Sequence, residues 1–263
     1  MSPFQYASAA PADTLPESDD RALEARVEAL NEFYAGSSPK EIIQGVVCQD
    51  FPGGIAAVSS FGAESAVLLY FIAQVAPDLP VLFLDTGKHF PETLAYRDLL
   101  IGHLGLRAVQ SLSPSDLHLR IWDPDGELWR NDPDACCHVR KVAPLDQALE
   151  PFQAWISGRK RFHGGDRIEV EVFDVVDGRI QVNPLAGLSS REIQAIMKRE
   201  GLPRHPLFAA GYQSIGCATC TKRCTTGEGH RDGRWSGQAK SECGIHKTRW
   251  VQRAPAQGDL AQS

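Results

Sequence analysis

The sequence predicts an α/β fold with a doubly wound, mainly parallel sheet. Between residues 55 and 112, short apolar runs alternate with longer segments of helical character, which is the pattern of parallel strands joined by crossover helices. The composition agrees, because 263 residues that are 43% hydrophobic and 23% charged can bury a substantial core. Such sheets bind ligands beyond the carboxyl ends of their strands, so a functional site is expected there.

Two helices are predicted before this alternation. The first twenty residues lack periodicity and are predicted to be a disordered tail. Apolar residues at helical spacing predict a first helix from Arg21. Ser38 and Glu41 then form a predicted capping box, which opens a second helix that ends at Val47.

The remaining chain continues the alternation with one gap, because 117–133 is polar and aromatic and is predicted to be a long loop. After Cys217 no apolar periodicity survives, and the glycines at 227, 229, 233 and 237 predict a mobile tail. The predicted elements are strands 55–59, 81–84, 107–112 and 154–157, a hairpin of 168–173 and 179–182 that turns at 177–178, helices 63–75, 91–104 and 135–149, and a helix capped by 189–192 that ends at 201.

The net charge of −6 is unevenly distributed. Residues 1–50 hold 9 acidic and 3 basic side chains, whereas residues 217–253 hold 8 basic and 3 acidic ones. The whole-chain charge is therefore a poor guide to the charge of the site. The sequence has no uncharged apolar run of about 18 residues and no signal-peptide pattern. A cytoplasmic protein with no membrane association is therefore expected.

The turn after the first predicted strand is a candidate anion site. Residues 59–65 read Ser-Ser-Phe-Gly-Ala-Glu-Ser and lead into a helix. Such a turn offers unpaired backbone N–H groups, here around Gly62, and the positive end of the helix dipole, with hydroxyl donors at Ser59 and Ser60. The same pattern also occurs as a tight connection without a ligand, and both interpretations stay open.

The second strand ends in Leu84-Asp85-Thr86-Gly87, where Asp85 has two interpretations. Its carboxylate can accept a hydrogen bond from a ribose or adenine donor, or it can cap the helix that begins near Pro91. The sequence alone does not choose between them.

Four of the seven cysteines form two close pairs, Cys136-Cys137 and Cys217 with Cys220. Four thiolates are what a tetrahedral zinc ion or a [4Fe–4S] cluster requires. Adjacent cysteines are unusual around one zinc ion, whereas separate iron corners can each take one of two neighbours. A cluster is therefore favoured, and two unrelated buried cysteine pairs are the alternative.

The other three cysteines need separate explanations. Cys243 lies among cationic residues near the end of the glycine-rich stretch, where Lys240, His246, Lys247 and Arg249 favour a thiolate. Its interpretation as a nucleophile competes with that of an incidental surface thiol. Cys224 is an additional candidate ligand that spacing does not exclude, and Cys48 is predicted to be a small buried residue of the second helix.

Three basic clusters match the oxygens of phosphate or sulfate. Nucleic acid is disfavoured as a partner, because the pI is about 5.8 and no long basic helix or aromatic-interleaved sheet motif occurs. The clusters are Arg140 with Lys141, Arg159-Lys160-Arg161 with Arg167, and Arg231 with Arg234.

Eight motifs in order give the chain a specific resemblance over about residues 20 to 250. The chain resembles the assimilatory adenylyl-sulfate (APS) reductases of the phosphoadenylyl-sulfate (PAPS) reductase family. The motifs are Ser-Ser-Phe-Gly-Ala-Glu-Ser (59–65), Leu-Asp-Thr-Gly-Lys-His (84–89), Cys-Cys-His-Val-Arg-Lys (136–141), Ile-Ser-Gly-Arg-Lys-Arg (156–161), Asn-Pro-Leu (183–185), Ser-Ile-Gly-Cys-Ala-Thr-Cys (214–220), Arg-Asp-Gly-Arg-Trp (231–235) and Glu-Cys-Gly-Ile-His (242–246).

The resemblance implies an adenine nucleotide alpha-hydrolase-like fold, related to ATP pyrophosphatases, with 59–65 as a modified phosphate loop. It divides the chain into a tail 1–20, a nucleotide-binding reductase domain 21–216 and a cluster-completing, catalytic segment 217–263. Cys136, Cys137, Cys217 and Cys220 match the ligands of the family's [4Fe–4S] cluster, and Cys243 matches its nucleophile. The residues that match phosphosulfate contacts or complete the active site are Lys141, Gly158, Arg167, Arg231, Arg234 and His246.

The implied activity is reduction of APS to sulfite and AMP by thioredoxin, or a glutaredoxin-like reductant, through an S-sulfocysteine. Relatives that use the 3′-phosphorylated substrate typically lack both cysteine pairs, so APS is favoured over PAPS. Phe61 and Glu64 depart from the Ser-Gly-Gly-x-Asp-Ser loop of ATP-cleaving relatives, which counts against an iron–sulfur tRNA thiolation enzyme. A non-catalytic iron–sulfur sensor would leave Cys243 without a role. Lys222-Arg223-Cys224 also departs from the family pattern.

Overall fold

The helices and strands of the computed structural model follow the predicted order, and residues 17–224, 229–236, 240 and 242–246 are described. The strands are β1 Ile55–Val58, β2 Val81–Leu84, β3 Val109–Leu112, β4 Ala154–Ile156, β5 Phe173–Val176 and β6 Arg179–Val182. The helices are α1 Glu17–Phe33, α2 Pro39–Gly45, α3 Ser65–Val75, α4 Pro91–Leu104, α5 Asp116–Trp122, α6 Leu128–Asn131, α7 Pro133–Cys137, α8 Ala143–Leu149, α9 Ser190–Arg199 and α10 Pro206–Ala209.

The six strands form one sheet in the order β3-β2-β1-β4-β6-β5. Neighbouring strands are parallel except β5 and β6, which form an antiparallel hairpin. The predicted fold class, a doubly wound and mainly parallel sheet, is therefore confirmed.

Both faces of the central strands are buried. Along β1, Ile55 and Ala57 belong to one hydrophobic core, and Ala56 and Val58 belong to a second. The four residues of β2 divide between the same two cores. This burial explains why the central strands are continuous apolar runs rather than alternating ones.

The topology creates a crevice between β1 and β4. From β1 the chain proceeds outward through β2 to β3 and then returns to place β4 on the other side of β1. The loops after β1 and β4 therefore leave neighbouring strands in different directions, which is where open α/β sheets bind ligands.

Short helices occupy much of the predicted loop 117–133, and that prediction is wrong. Side-chain hydrogen bonds to amides of their first turns stabilise them: the Ser115 hydroxyl accepts from the His118 amide (3.1 Å) and the Asp123 carboxylate accepts from the Leu128 amide (2.8 Å). Helices of four to seven residues are too short to show an apolar period. Both predicted capping boxes, at Ser38 and Ser189, are confirmed.

The predicted helix 135–149 is three consecutive helical pieces. Asp132 caps α7, which contains Cys136 and Cys137, by accepting from the Asp134 and Ala135 amides. A π-helical turn, His138–Val142, then separates α7 from α8. The wider turn is a local change of period inside an otherwise continuous helical segment.

Other boundaries differ from the predictions. The helix α1 begins at Glu17 rather than Arg21. Acidic residues are favoured in the first turn of a helix, and apolar periodicity does not detect such a turn. Residues 1–16 lie outside the described part of the chain. The hairpin pairing begins at Phe173, because 164–170 close into turns through backbone hydrogen bonds. The strand β3 begins at Val109.

Cys48 is exposed, and the prediction of a buried cysteine is wrong. It lies on the π-helical turn Val46–Asp50, which follows α2. The residues of this segment that face the core are Ile42, Ile43 and Val46. Among the helices that the structure describes, none is long and apolar enough to cross a bilayer.

Candidate active site

A cavity of about 180 Å³ lies beyond the carboxyl ends of β1, β2 and β4. Its walls come from chain segments far apart in sequence, which the β1/β4 crevice brings together. They are the turn 59–65, Leu84, His89, Lys141, the loop 157–167, residues 213–216, and the described parts of 230–246.

The turn 59–65 uses several of its own hydrogen-bonding groups internally. The Phe61 amide donates to the Ser59 hydroxyl (3.2 Å), and the Gly62 amide donates to the Ser65 hydroxyl (2.9 Å). Phe61 adopts a positive φ of 47° and its buried ring packs edge-on against Phe83. The turn is a strained, anchored structure, and two of the amides expected to face an anion are already bonded.

Glu64 lies at the centre of a buried polar cluster. Its Oε2 accepts from Lys160 Nζ at 3.2 Å and from His163 Nε2 at 2.9 Å. Burial raises the pKa of Glu64, but the His163 hydrogen bond and the Lys160 charge outweigh it and lower the pKa to about 2. Burial lowers the pKa of His163 to about 4. The cluster is therefore a carboxylate paired with an ammonium, beside a neutral imidazole.

The same cluster has the donor spacing of a metal site. Donor atoms of Glu64, His163 and His230 lie within 4.8 Å of one another, and the two imidazoles stack at 4.6 Å. However, Lys160 is buried against the same carboxylate. Because its ammonium already supplies a positive charge there, the residues do not require a metal ion.

Two arginines of the cavity wall converge on Glu242. Arg167 donates to both carboxylate oxygens, from Nε to Oε1 and from Nη2 to Oε2 (3.0 Å). Arg231 Nη2 donates to Oε2 at 3.4 Å. Burial raises the pKa of Glu242, but the Arg167 hydrogen bonds and the two positive charges lower it to about 2. Glu242 is therefore an ionised carboxylate beside Cys243.

His246 is held by the sheet itself. Its ring stacks on Trp155 with centroids 5.5 Å apart, and its Nδ1 lies 2.8 Å from Gln181 Nε2. Arg159 Nη1 donates to Gln181 Oε1 (3.2 Å), so the amide is oriented with its NH2 group towards His246. His246 Nδ1 is therefore an acceptor, and burial lowers the pKa of His246 well below its usual value. The ring is neutral, with its proton on Nε2.

Arg234 is placed by a close backbone approach. A Cβ atom at Gly216 would lie 2.3 Å from Arg234 Nη2, so only glycine leaves room for this guanidinium. The guanidinium also lies 4.4 Å above the Trp235 ring. Gly233 is likewise packed against the Lys222 carbonyl, so this glycine serves close packing rather than the predicted mobility. Gly227 and Gly237 lie outside the described residues.

Five buried polar atoms of residues that line the cavity have no hydrogen-bond partner among the described residues. They are Glu64 Oε1, His89 Nδ1, Arg159 Nε, Arg234 Nε and Trp235 Nε1. Unpaired buried donors and acceptors are costly, so this pattern indicates a polar ligand with both donor and acceptor groups.

The four paired cysteines line a second, smaller cavity. None of the four forms a disulfide bond, and Cys217 and Cys220 are joined by a 3₁₀ turn. Cationic side chains of Lys88, Arg140 and Lys141 line the same space. Cys224 is not among its lining residues. Four thiols around one space, with cations nearby, fit the donor set of an anionic thiolate-bound cluster.

Lys141 lines both cavities, and so does Trp235. Burial lowers the pKa of Lys141, but the neighbouring sulfurs of Cys217, Cys137 and Cys243 raise it above its usual value. Arg140, its neighbour, instead bonds the Thr86 carbonyl (2.7 Å) and the Asp123 carboxylate. Lys141 therefore connects the four-cysteine site to the cavity that contains Cys243, while Arg140 joins structural elements.

The phosphoadenosine phosphosulfate reductase domain model matches residues 54–223. This chain belongs to that family. The adenosine 5′-phosphosulfate reductase of Mesorhizobium japonicum is 47% identical over 236 residues, which cover 90% of this chain and 92% of that protein. The phosphoadenosine 5′-phosphosulfate reductase of Gloeobacter violaceus is 37% identical over 229 residues, which cover 84% of this chain and 93% of that protein.

Solved structures support the fold of this phosphoadenosine phosphosulfate reductase family member. The crystal structure of a phosphoadenylyl-sulfate reductase from Candida auris, a phosphate complex, aligns with a TM-score of 0.63 at 23% identity. It covers 79% of this chain and 98% of that chain. At this identity the likeness shows the fold alone.

Most residues predicted from the phosphosulfate reductase motifs converge on the large cavity. Asp85, Thr86 and Gly87 do not line it: the Asp85 carboxylate accepts from the Gly87 amide (3.2 Å), the Thr86 hydroxyl lies 3.3 Å from Cys217 Sγ, and the cap residue of α4 is Phe90. The predicted residues that line the cavity are Ser59, Ser60, Gly62, Leu84, Lys141, Gly158, Arg167, Arg231, Arg234, Cys243 and His246.

Several side chains that build this candidate site were missed from the sequence. Gln181 gives no signal, because a polar residue in a short strand is ordinarily exposed. His163 and His230 are brought to Glu64 only by the fold. Glu242 lies inside a recognised motif but had no assigned role. Lys247 and Arg249, expected near Cys243, lie outside the described residues.

Proposed function

We propose that this protein reduces APS to sulfite and AMP, with two electrons from a dithiol protein such as thioredoxin, through an S-sulfonated Cys243. The observation that carries the proposal is the position of Cys243. Its thiol lines the same cavity as Lys141, Arg231 and Arg234, so a nucleophile and an anion-binding set share one site. Relatives named adenosine 5′-phosphosulfate reductase support the choice of substrate.

In the first step, the Cys243 thiolate attacks the sulfur of APS. An S–S bond forms, the S–O bond to the phosphate breaks, and AMP departs with the bonding electron pair. Negative charge builds on the phosphate oxygen as this bond breaks, so the cations of Lys141, Arg231 and Arg234 stabilise the transition state more than the ground state. The neutral His246 supplies an N–H donor to the same cavity.

In the second step, a thiolate of the reductant attacks Cys243 Sγ. Sulfite departs, and Cys243 is left in a mixed disulfide with the reductant. The second thiol of the reductant then attacks the reductant's sulfur in this mixed disulfide. A disulfide forms within the reductant, and the Cys243 thiolate is released. The dithiol is oxidised by two electrons, and the sulfur of the substrate is reduced from the sulfate to the sulfite level.

We also propose that Cys136, Cys137, Cys217 and Cys220 hold a [4Fe–4S] cluster. Their thiols line one small cavity with cationic neighbours. The bound cluster would supply a fixed local electrostatic field and not the electrons of the reaction. In the chain itself, Lys141 follows the Cys136-Cys137 pair and extends to the Cys243 cavity, so it would carry the effect of that field to the substrate.

PAPS is the second candidate substrate, because a relative named phosphoadenosine 5′-phosphosulfate reductase is 37% identical over 84% of this chain. The test is a thioredoxin-dependent sulfite assay with anaerobically purified protein and each nucleotide. We expect a higher kcat/KM for APS. We also expect the Cys243 peptide to acquire a sulfonate when the protein meets APS without reductant. Absence of this adduct, or its formation on the C243S variant, would rule out the proposed intermediate.

A further inference from the structure

Glu242 is an unusual neighbour for a nucleophilic cysteine. A carboxylate next to a thiolate repels it, yet Glu242 precedes Cys243 directly and only 3% of its surface is exposed. Burying a charge is costly unless it is paired and hydrogen-bonded. The ion pairs of Glu242 with Arg167 and Arg231 must therefore have a function that outweighs the cost of burying this charge.

The pairing fixes the orientation of the Glu242 carboxylate as well as its ionised state. The two parallel hydrogen bonds from Arg167 form the bidentate arrangement that defines the plane of a carboxylate. Arg231 approaches Oε2 from a second chain segment. Both carboxylate oxygens accept hydrogen bonds from guanidinium groups, so Glu242 is not placed to serve as a general base for Cys243.

Arg167 is itself anchored. It lies in the 3₁₀ turn Gly165–Arg167, and its amide donates to the Gly164 carbonyl at 3.2 Å. Its third nitrogen, Nη1, donates to His163 Nδ1 at 3.0 Å, and His163 Nε2 in turn donates to Glu64. A continuous buried chain of hydrogen bonds therefore runs from Glu242 to the turn that follows β1.

We propose that Glu242 is a positioning residue. By pairing with the guanidinium groups of Arg167 and Arg231, its carboxylate holds the Cys243 thiol in the cavity. Consecutive Cα atoms are about 3.8 Å apart, so fixing the Glu242 backbone restricts the position of Cys243. This inference rests on the proposed role of Cys243 as nucleophile.

The test compares the Glu242→Gln, Glu242→Asp and Glu171→Gln variants of the full chain. Glu171 is an exposed carboxylate that pairs with Arg161, so E171Q is the control for loss of one acidic charge. The first readout is the single-turnover rate of Cys243 sulfonation at saturating APS. The second is the APS dissociation constant, and the third is thioredoxin-dependent sulfite release from protein sulfonated beforehand.

We expect E242Q to slow sulfonation about 100-fold, the effect of a misplaced reacting group, with APS affinity changed less than threefold and sulfite release unchanged. E242D should recover part of the rate, and E171Q should match the wild type. Unchanged sulfonation in E242Q overturns the inference. So does a loss confined to APS affinity, because Glu242 would then only organise the arginines.

A fold defect is separated by a readout that needs no turnover. Alkylation of Cys243 by iodoacetamide, followed by peptide mass spectrometry, should be faster in E242Q than in the wild type, whereas alkylation of Cys48 should not change. Equal Cys243 alkylation in both proteins contradicts the inference. If wild-type protein forms no sulfonated Cys243 at all, the proposed function fails; if only the E242Q effect is missing, this inference fails alone.

Discussion

Trp155 and Gln181 are Cα partners on the neighbouring strands β4 and β6, and together they hold His246. One contributes a ring face and the other an amide hydrogen bond. The register of two buried strands therefore sets the position and tautomer of His246, which lies near the C-terminal end of the described chain.

Replacing Gln181 by Met tests this control of His246. The thioether keeps the side-chain volume but donates no hydrogen bond to Nδ1, so the tautomer is no longer fixed. We expect the single-turnover rate of Cys243 sulfonation to fall about tenfold, the value of roughly one net hydrogen bond, with little change in APS affinity. Gln147, an exposed residue of α8, provides the matched Q147M control. A wild-type rate in Q181M would show that the amide does not orient His246.

Gly216→Ala should displace Arg234. The added Cβ would lie 2.3 Å from Nη2 and 2.4 Å from Cζ of that guanidinium, and a phosphosulfate contact would weaken. We expect kcat/KM for APS to fall about tenfold or more, since removing a charge-assisted hydrogen bond costs about 1.5–3 kcal/mol. In the control, Gly102→Ala on α4, nothing lies within 4 Å of the new Cβ. The control should keep its activity and gain about 0.5–1 kcal/mol of stability.

The cluster assignment predicts a division among the cysteines. Serine at Cys136, Cys137, Cys217 or Cys220 should abolish the absorbance near 400 nm and reduce iron and labile sulfide content. Serine at Cys48 or Cys224 should leave both unchanged, because Cys48 is exposed and Cys224 does not line the four-cysteine cavity. Loss of iron in C224S would contradict this ligand set.

His205 predicts a pH-dependent stability away from the cavity. Its Nδ1 accepts from the Leu207 amide (3.2 Å) and its Nε2 lies 3.1 Å from the Thr93 hydroxyl, so the folded ring is neutral. Burial lowers the pKa of His205 to about 4. The unfolded chain binds the proton below about pH 6.5, so the free energy of unfolding should fall as pH drops from 6.5 to 4.

The H205N variant isolates this contribution. Asparagine can still cap α10 but does not titrate, so urea titrations over this pH range should show a shallower slope for H205N. The limit for one site is about 1.4 kcal/mol per pH unit. Identical slopes in the two proteins would mean that His205 is not held neutral in the folded state.

Sequence alone predicted the fold well where local signals mark the ends of an element. The helix α4 and strand β2 begin and end at the predicted residues, because Pro91 and Gly105 bound the helix and a short, fully buried apolar run marks the strand. The helices α5 and α6 were missed because polar side chains that accept from their first amides, rather than apolar spacing, define them. Cys48 was misplaced because a π-helical turn rotates it out of the apolar face.

The sequence predicted those parts of the candidate site that depend on residues close together in the chain. It did not predict the contacts between residues that are far apart in the chain. Cysteine spacing and the motif around Cys243 can be read directly along the chain. The partners of Glu242 and His246 cannot, because Arg167 and Gln181 lie 75 and 65 residues away in sequence. Only strand order and register bring such residues together. Asp85 differs, because its carboxylate accepts a hydrogen bond from Gly87 only two residues along the chain, so a local turn rather than a distant partner decides its position.

The separation of the cavity walls along the chain has a consequence for biosynthesis. The last strand of the sheet, β6, ends at Val182, whereas Cys243 comes about sixty residues later. At synthesis rates of about 5–20 residues per second, the complete sheet precedes the proposed nucleophile by about 3–12 s. The sheet can thus fold before Cys243 emerges from the ribosome, and the segment that contains Cys243 then docks onto a surface that is already formed.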